Sequence, residues 1–350
     1  MSAREPHGAH LNGSVPLKDA DAVFRAVGST LGDRVRRMPD GETGVRTNWI
    51  GFQSTVFAAT GQFDVVPPAP GAYAPRPQVK PKAGVEPGRI KFGRLGYADA
   101  AKDSYATFAA LKREGQIPRG VHFQVSLPSP LAPVAGFVAP DALAAVEPAY
   151  EARLMQELDE IAAAIPQGEL AVQWDAAVEF GMLEGVWPVA FREVRQEVLD
   201  RLIRIGNRVP ARVELGYHLC YGDAGHRHFK EPADMAKLVD IANAITAGVR
   251  RPVQWFSMPV PRNRADDAYF APLRGLKLPP ETELYLGLVH FTDKAEGTRH
   301  RIEAAQRALD RPFGVAAECG LGRRPPETIP ELLRIHAEVT MPLNQPATAG

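Results

Sequence analysis

The stretch VELGYHLCYGD, residues 213–223, shows the pattern that decides the fold. An apolar run rich in β-forming residues ends directly in a histidine, a cysteine and an acidic residue. Seven further short runs of the same kind occur near residues 9–14, 35–39, 120–126, 170–175, 253–257, 284–290 and 313–318. Longer helical patterns separate these runs, and such alternation is typical of a parallel sheet covered by helices.

The intervening segments have the apolar spacing of helices. In residues 151–164, for example, Leu154, Leu158 and Ile161 lie on one side of a helix. No Gly-rich dinucleotide loop follows a predicted strand, which argues against a doubly wound sheet. The sequence therefore predicts an α/β fold, a single (β/α)₈ TIM barrel over residues 1–343. The predicted helices cover residues 18–31, 45–59, 100–114, 141–165, 190–207, 232–248, 296–309 and 328–340.

Residues 65–90 are rich in Pro, Gly, Ala and Lys. A segment of this composition cannot pack a core of its own, so we predict a long insertion after the second strand. We expect it to be a wrapping loop rather than a flap over the site. Residues 344–350 are predicted to form a flexible C-terminal tail.

The composition excludes some classes of partner. Lys plus Arg and Asp plus Glu both number 41, so the formal net charge is zero. A protein that binds nucleic acid or a membrane surface is expected to carry a basic excess. The chain shows no apolar run of signal-peptide length and no stretch of 18 apolar residues. We therefore expect a cytoplasmic protein that acts on a small molecule.

Polar residues with chemical capacity follow almost every predicted strand. In a (β/α)₈ barrel, active sites are built at the carboxyl ends of several strands at once. Seven of the eight strands end in such residues: Asn12-Gly13-Ser14, Asp40-Gly41-Glu42, Ser126, Asp175, His218 with Cys220, His290, and Glu318-Cys319.

His218 and Cys220 are two residues apart on a strand, so both side chains point to the same face. Cys319 meets them only if the sheet closes. One imidazole and two thiolates form the Cys₂His set of catalytic zinc sites, with a fourth position open for water or substrate. The alternative is a pair of ordinary packed cysteines. Three residues that follow the fifth strand either supplement the metal ligands, touch substrate or form a solvated loop: Asp223, His226 and His228.

Glu42 and Asp175 are carboxylates suited to holding a substrate amine or to transferring protons. Their structural alternatives are a helix cap and a salt bridge, for instance with Arg46. The backbone at Gly13 and Ser14 is suited to receive a carboxylate or phosphate. We also expect aromatic side chains near the strand ends to line a pocket, although strand alternation turns half of them toward the helices. The candidates for substrate contact are Ser126, Trp174 and Phe256.

Five motifs occur in a characteristic order: NGSVP (12–16), PDGETGVRTNWI (39–50), VQWDAAVEF (172–180), YHLCYGD (217–223) and ECGLGRRPPETIPELL (318–333). In these motifs the chain resembles the C-terminal catalytic barrel of the cobalamin-independent methionine synthase family. That family is part of a superfamily shared with uroporphyrinogen decarboxylase. The resemblance covers most of the chain and implies a (β/α)₈ barrel.

The resemblance also implies a zinc ion that activates a thiol to accept a methyl group from a folate donor. His218, Cys220 and Cys319 match three of the family's zinc ligands. Gly13 and Ser14 match the turn that holds the substrate's carboxylate. Glu42 and Asp175 match the carboxylates that receive its amine.

Several positions depart from the family pattern. The family's fourth zinc ligand is a glutamate on the sixth strand, where this chain has Phe256 or Ser257 in VQWFSMPVP. The family's DEPA segment reads DAAV, and the third strand lacks the tryptophan that stacks on the folate. His290 stands near the family's catalytic histidine, but direct alignment puts Thr292 there.

These departures predict a methyl or alkyl transferase with a non-standard donor or substrate. Two other hypotheses fit the same barrel. One is a metal-free lyase or decarboxylase that uses Glu42, Asp175 and His290 as acid–base groups. The other is a non-catalytic protein that binds a small molecule.

Overall fold

The computed structural model describes residues 5–68, 76–189 and 191–343. Eight parallel strands form a barrel with helices between them, which confirms the predicted TIM-barrel fold. Numbered in chain order, with β3 and β4 reserved for a separate hairpin, they are β1 (Ala9–His10), β2 (Arg37–Pro39), β5 (His122–Pro128), β6 (Leu170–Ala176), β7 (Glu214–Leu219), β8 (Trp255–Pro259), β9 (Glu283–Val289) and β10 (Gly314–Ala317).

The order of strands around the barrel is β1-β10-β9-β8-β7-β6-β5-β2. Backbone contacts connect the two ends of this series. The amide of Ala9 donates to the carbonyl of Arg34 over 2.7 Å, and the amide of Val15 donates to the carbonyl of Gly41 over 2.8 Å. The turns after β1 and β2 therefore lie side by side, and all strand ends surround one space.

Eleven helices are described: α1 (Ala20–Leu31), α2 (Gln53–Ala59), α3 (Tyr97–Arg113), α4 (Leu131–Phe137), α5 (Leu143–Ala164), α6 (Val178–Leu183), α7 (Val194–Arg208), α8 (Ala236–Gly248), α9 (Asp267–Phe270), α10 (Lys294–Ala308) and α11 (Ile329–Glu338). All eight predicted helices have a counterpart, although residues 45–52 form two 3₁₀ turns rather than α-helix. None of the helices in the described ranges is long and apolar enough to cross a membrane.

The Pro-rich insertion follows the second strand, as predicted, but it is not entirely loop. It lies between α2 and α3, and its flanks form an antiparallel hairpin of β3 (Phe63–Val66) and β4 (Gln78–Pro81). Phe63 packs against the rings of Phe57 and Phe92, with centroids 5.8 and 6.1 Å away. The hairpin thus uses the barrel's core instead of one of its own. Residues 69–75 of the insertion and the predicted tail, 344–350, lie outside the described residues.

Arg37 closes the amino-terminal end of the barrel. Its buried guanidinium pairs with Glu214 at 2.5 Å and Glu283 at 2.6 Å, and it lies 4.0 Å from the ring centroid of Trp255. A charge buried in this way is stable only when it is paired and hydrogen-bonded. The opposite end, where the strands terminate, carries the cavity described below.

Candidate active site

A cavity of about 110 Å³ opens at the carboxyl ends of the strands. Its deep part is buried and its mouth is formed by half-exposed side chains. The lining residues are Asn12, Ser14, Glu42, Asn48, Trp49, Ile50, Arg76, Gly136, Asp175, Ala177, Val178, Trp187, His218, Cys220, Gly222, Asp223, Ala224, Phe229, Cys319, Gly320 and Arg323.

The three predicted metal ligands meet in this cavity. His218 lies on β7, Cys220 follows that strand, and Cys319 follows β10 across the barrel. Their ligand atoms all lie within 4.8 Å of one another, and the two sulfur atoms are 3.5 Å apart. The barrel's curvature brings these residues together, since β8 and β9 separate the two strands in the sheet.

Strand register places Asp175 beside His218. These residues are direct partners on the parallel strands β6 and β7, so their side chains share the inner face. The imidazole Nδ1–H donates to Asp175 Oδ1 over 3.2 Å, and the same oxygen accepts from the Gln173 amide over 2.9 Å. Burial opposes a charged imidazole, but the hydrogen bond and charge of Asp175 outweigh it and raise the pKa of His218.

The ligand atoms of His218, Cys220 and Cys319 suit a zinc ion. His218 Nε2 is buried and has no hydrogen-bond partner among the described residues. A histidine held through Nδ1 by a carboxylate presents Nε2, the arrangement common in zinc proteins. The hydrogen bond with Cys220 and burial raise the pKa of Cys319 well above its ordinary value, so a bound cation would be needed to keep the sulfur of Cys319 ionised.

The resemblance places the fourth zinc ligand of the family at Phe256 or Ser257, and these two side chains face opposite ways. Ser257 is the partner of His218 on β8, so it lies on the inner face in the same row as Asp175. Its buried hydroxyl has no hydrogen-bond partner within the described ranges. Phe256 is turned the other way and stacks on Tyr217, with centroids 5.7 Å apart. Of the two residues, Ser257 is the one on the inner face.

Glu42 lies at the deep end of the cavity, in a turn with φ of +48°. Its amide donates to Asp40 Oδ1 over 2.9 Å, and Arg46 pairs with Asp40 at 2.6 Å. Arg46 is therefore not the salt-bridge partner of Glu42. Burial, followed by the negative charge of Asp175, raises the pKa of Glu42 to about 8.

The turn after β1 packs against Glu42. Gly13 has a φ of +143°, and a Cβ built on it would lie 3.2 Å from Glu42 Oε2. Ser14 Oγ accepts from the amide of Gly322 over 3.2 Å. The adjacent Asn12 donates to the carbonyl of Ala317 over 2.9 Å, while its buried Oδ1 has no partner among the described residues. Asn12 therefore adds a free acceptor to the deep end.

Five residues predicted to contribute to the site do not line the cavity: Gly13, Ser126, Trp174, Phe256 and His290. Ser126 pairs in register with Gln173, one layer below Asp175. Trp174 alternates with the inward residues of β6 and packs in the core toward the helices. His290 Nε2 bonds the carbonyl of Val260 at 2.9 Å, and burial lowers its pKa to about 3.

Of the three candidate residues that follow β7, Asp223 lines the cavity, whereas His226 and His228 do not. Asp223 is buried in the cavity wall, 3.7 Å from Arg323, and burial raises its pKa. His228 Nε2 lies 3.4 Å from Glu318 and outside the cavity lining, and His226 is partly exposed beside Asp223. Sequence reasoning did not identify five lining residues that lie outside the strands and have no strand periodicity to mark them: Arg76, Trp49, Trp187, Phe229 and Arg323.

We expect Glu42→Gln to stabilise the protein at alkaline pH. The folded protein holds a proton on Glu42 up to about pH 8, whereas an unfolded glutamate releases it near 4.5. The penalty is therefore absent below pH 4.5, grows as the pH rises from 4.5 to 8, and is constant above about pH 8. The variant should raise the free energy of unfolding by about 1–3 kcal/mol at pH 8.5 and change it little at pH 5. Urea denaturation at both pH values measures this, with the exposed Glu86→Gln as control. An equal effect at both values would contradict the buried-acid interpretation.

No protein-family model matches the chain, and no curated protein sequence matches it. Several solved structures are similar to the chain. A B12-independent methionine synthase from Shewanella sp. W3-18-1, in complex with selenomethionine, gives a TM-score of 0.60 at 14% identity, covering 96% of this chain and 97% of that one. This chain has the fold of the B12-independent methionine synthases. The resemblance indicated by the sequence motifs is confirmed at the level of the fold.

Two further structures agree. The candidate vitamin-B12-independent methionine synthase from Listeria monocytogenes gives a TM-score of 0.55 at 15% identity, with 96% and 97% coverage. A methyltransferase from Methanosarcina mazei gives 0.51 at 13% identity, with 97% and 95% coverage. Since each match covers at least 95% of both chains, the likeness extends over the whole methionine-synthase-like barrel.

Proposed function

We propose that this protein is a zinc-dependent methyl or alkyl transferase that activates a thiol acceptor and uses a non-standard donor or substrate. The observation that carries the proposal is the convergence of His218 Nε2, Cys220 and Cys319 in one cavity. Zinc bound there would lower the pKa of a substrate thiol and hold it as the nucleophilic thiolate.

The proposed transfer uses two substrates, a thiol acceptor and a methyl or alkyl donor. The thiol loses its proton, and a sulfur lone pair forms a bond to the methyl or alkyl carbon of the donor. The bond from that carbon to the donor breaks, and the donor keeps the electron pair and takes up a proton. The chain's own residues hold the reactants in line for this displacement, and positioning is a major source of rate enhancement in such reactions.

The deep end of the cavity suits the ammonium group of an amino-thiol. Glu42, Asp175 and the unpartnered Asn12 Oδ1 all offer oxygen acceptors, and ammonium groups donate three hydrogen bonds. The turn at Gly13 and Ser14 would receive the carboxylate of the same substrate. This arrangement supports an amino-acid thiol as the acceptor.

The mouth supports a donor with a flat aromatic or heteroaromatic part. Trp187 and Phe229, on loops, and Trp49, in a 3₁₀ turn, line it. These side chains differ in position from the tryptophan that the family places after its third strand. An altered donor site with retained thiol-binding residues is the pattern expected of a changed donor.

The metal-free lyase hypothesis has less support. It needs Glu42, Asp175 and His290 as one acid–base set, but His290 does not line the cavity and its Nε2 already bonds a backbone carbonyl. A general acid or base must reach the reacting proton within hydrogen-bond distance. Of the three groups, Glu42 and Asp175 line the cavity and could reach a substrate there.

Metal analysis of protein purified without a histidine tag tests the proposal. We expect about one zinc per chain, and methylation of an amino-thiol when a panel of N-methyl and S-methyl aromatic donors is supplied. A chelator should remove the bound zinc and the methylation activity, and added zinc should restore them. Protein that takes up no zinc after incubation with it would refute the proposed function.

A further inference from the structure

Two arginines flank the mouth of the cavity. Arg76 lies two residues before β4, in the Pro-rich insertion, and Arg323 lies four residues after Cys319. Both are half-buried and line the same cavity. The insertion therefore contributes a charged residue to the site.

The acidic groups described nearby do not balance these charges. Arg76 forms no ion pair with any described residue, and its guanidinium lies 5.0 Å from the ring centroid of Phe137, which fixes its place. Arg323 faces Asp223 at 3.7 Å, too long for a hydrogen bond. Burial and the positive charge of Arg323 both lower the pKa of Arg76. The mouth thus holds two like charges against one carboxylate.

Trp49 supplies an independent observation at the same mouth. Its indole N–H is buried and has no acceptor among the described residues. Its backbone φ of +48° is rare for a bulky residue, and such strain persists mainly where the surrounding structure holds a functional conformation. A buried donor without an acceptor is costly unless a ligand supplies one.

We propose that the mouth is a subsite for an anionic group, a carboxylate or phosphate, carried by an aromatic substrate and bound between Arg76 and Arg323. The assignment of this substrate as the alkyl donor rests on the proposed function. The subsite itself rests on the mouth residues. Arginine forks match the geometry of both anions, and Trp49 can donate to the same ligand.

The charge distribution along the cavity orients such a molecule. The carboxylate of Asp175 lies at the deep end, whereas Arg76 and Arg323 make the mouth basic. An anionic group is repelled from the deep end and attracted to the mouth. The opposite end of the donor therefore points toward the thiol site, where the transferred group is needed.

Calorimetric titration with matched probes tests the subsite: 3-phenylpropionate, phenyl phosphate and the uncharged 3-phenylpropanamide. In the wild type we expect at least one of the two anions to bind about tenfold or more tightly than the amide, with the preference reduced by salt. The two anions distinguish a carboxylate site from a phosphate site. Arg76→Gln and Arg323→Gln should each lower the preference, and the double variant should abolish it.

Matched controls separate charge from folding. Arg76→Lys and Arg323→Lys keep the charge and should keep part of the preference. Arg119→Gln removes an exposed arginine that does not line the cavity and should change nothing. Equal binding of anions and amide, no binding of any probe up to about 10 mM, or a full preference in the double variant would overturn the proposal.

The same titration in Cys319→Ser distinguishes this inference from the proposed function. A preference for an anion that persists there supports the subsite even if zinc and thiol transfer both fail. A protein that binds zinc and methylates thiols but shows no such preference overturns the subsite alone.

Discussion

Cys319→Ser is expected to abolish zinc retention and to lower methyl transfer by at least about a thousandfold. The variant replaces one of the three ligand atoms with a neutral hydroxyl, which binds zinc poorly beside thiolate and imidazole. Because the described group has only three ligand residues, the loss should exceed that in a four-ligand site. Cys220→Ser should have the same effect, since each supplies one of three ligands.

Zinc content after dialysis and competition with a coloured chelator measure this without relying on activity. His300→Gln, at an exposed position on α10, is the matched control for loss of a metal-binding side chain at the surface. Full zinc retention in Cys319→Ser would show that the metal binds elsewhere. Unchanged turnover in both cysteine variants would instead favour the metal-free hypothesis.

The barrel could be predicted because each strand carries a local signal. Runs of β-branched and apolar residues, separated by helical spacing, mark all eight strands, including the very short β1 and β10. The hairpin of β3 and β4 and the helices α4, α6 and α9 were not predicted. They are only four to seven residues long, and such segments are too short to show periodicity and depend on tertiary packing for their stability.

The centre of the site could be predicted for a different reason. Alternation fixes His218 and Cys220 on one face, and closure of a barrel brings Cys319 across to them. The same alternation turns Trp174 away from the cavity once Asp175 points inward. Arg76 and Trp49 could not be found, because loop residues reach the mouth through tertiary contacts that no local pattern encodes.

Asp175→Asn should show whether one carboxylate serves both metal and substrate. Asp175 Oδ1 accepts the Nδ1–H of His218, which leaves Nε2 toward the metal position. An amide keeps the shape but loses the charge, so zinc affinity should fall about 10- to 100-fold. Loss of a charged partner for the substrate ammonium adds a similar factor, so kcat/KM should fall about 10²- to 10⁴-fold.

A pair of substrates separates the two roles. With zinc saturating, a thiol that carries an amine should show a larger rise in KM in Asp175→Asn than the same thiol without the amine. Asp159→Asn, which changes an exposed carboxylate on α5, is the control. If both thiols lose the same factor, Asp175 acts through His218 alone, and the ammonium contact belongs to Glu42 and Asn12. If zinc affinity does not change, the hydrogen bond from His218 to Asp175 is not needed to orient the imidazole for metal binding. The positions of His218, Cys220 and Cys319 would then depend on the backbone of the barrel.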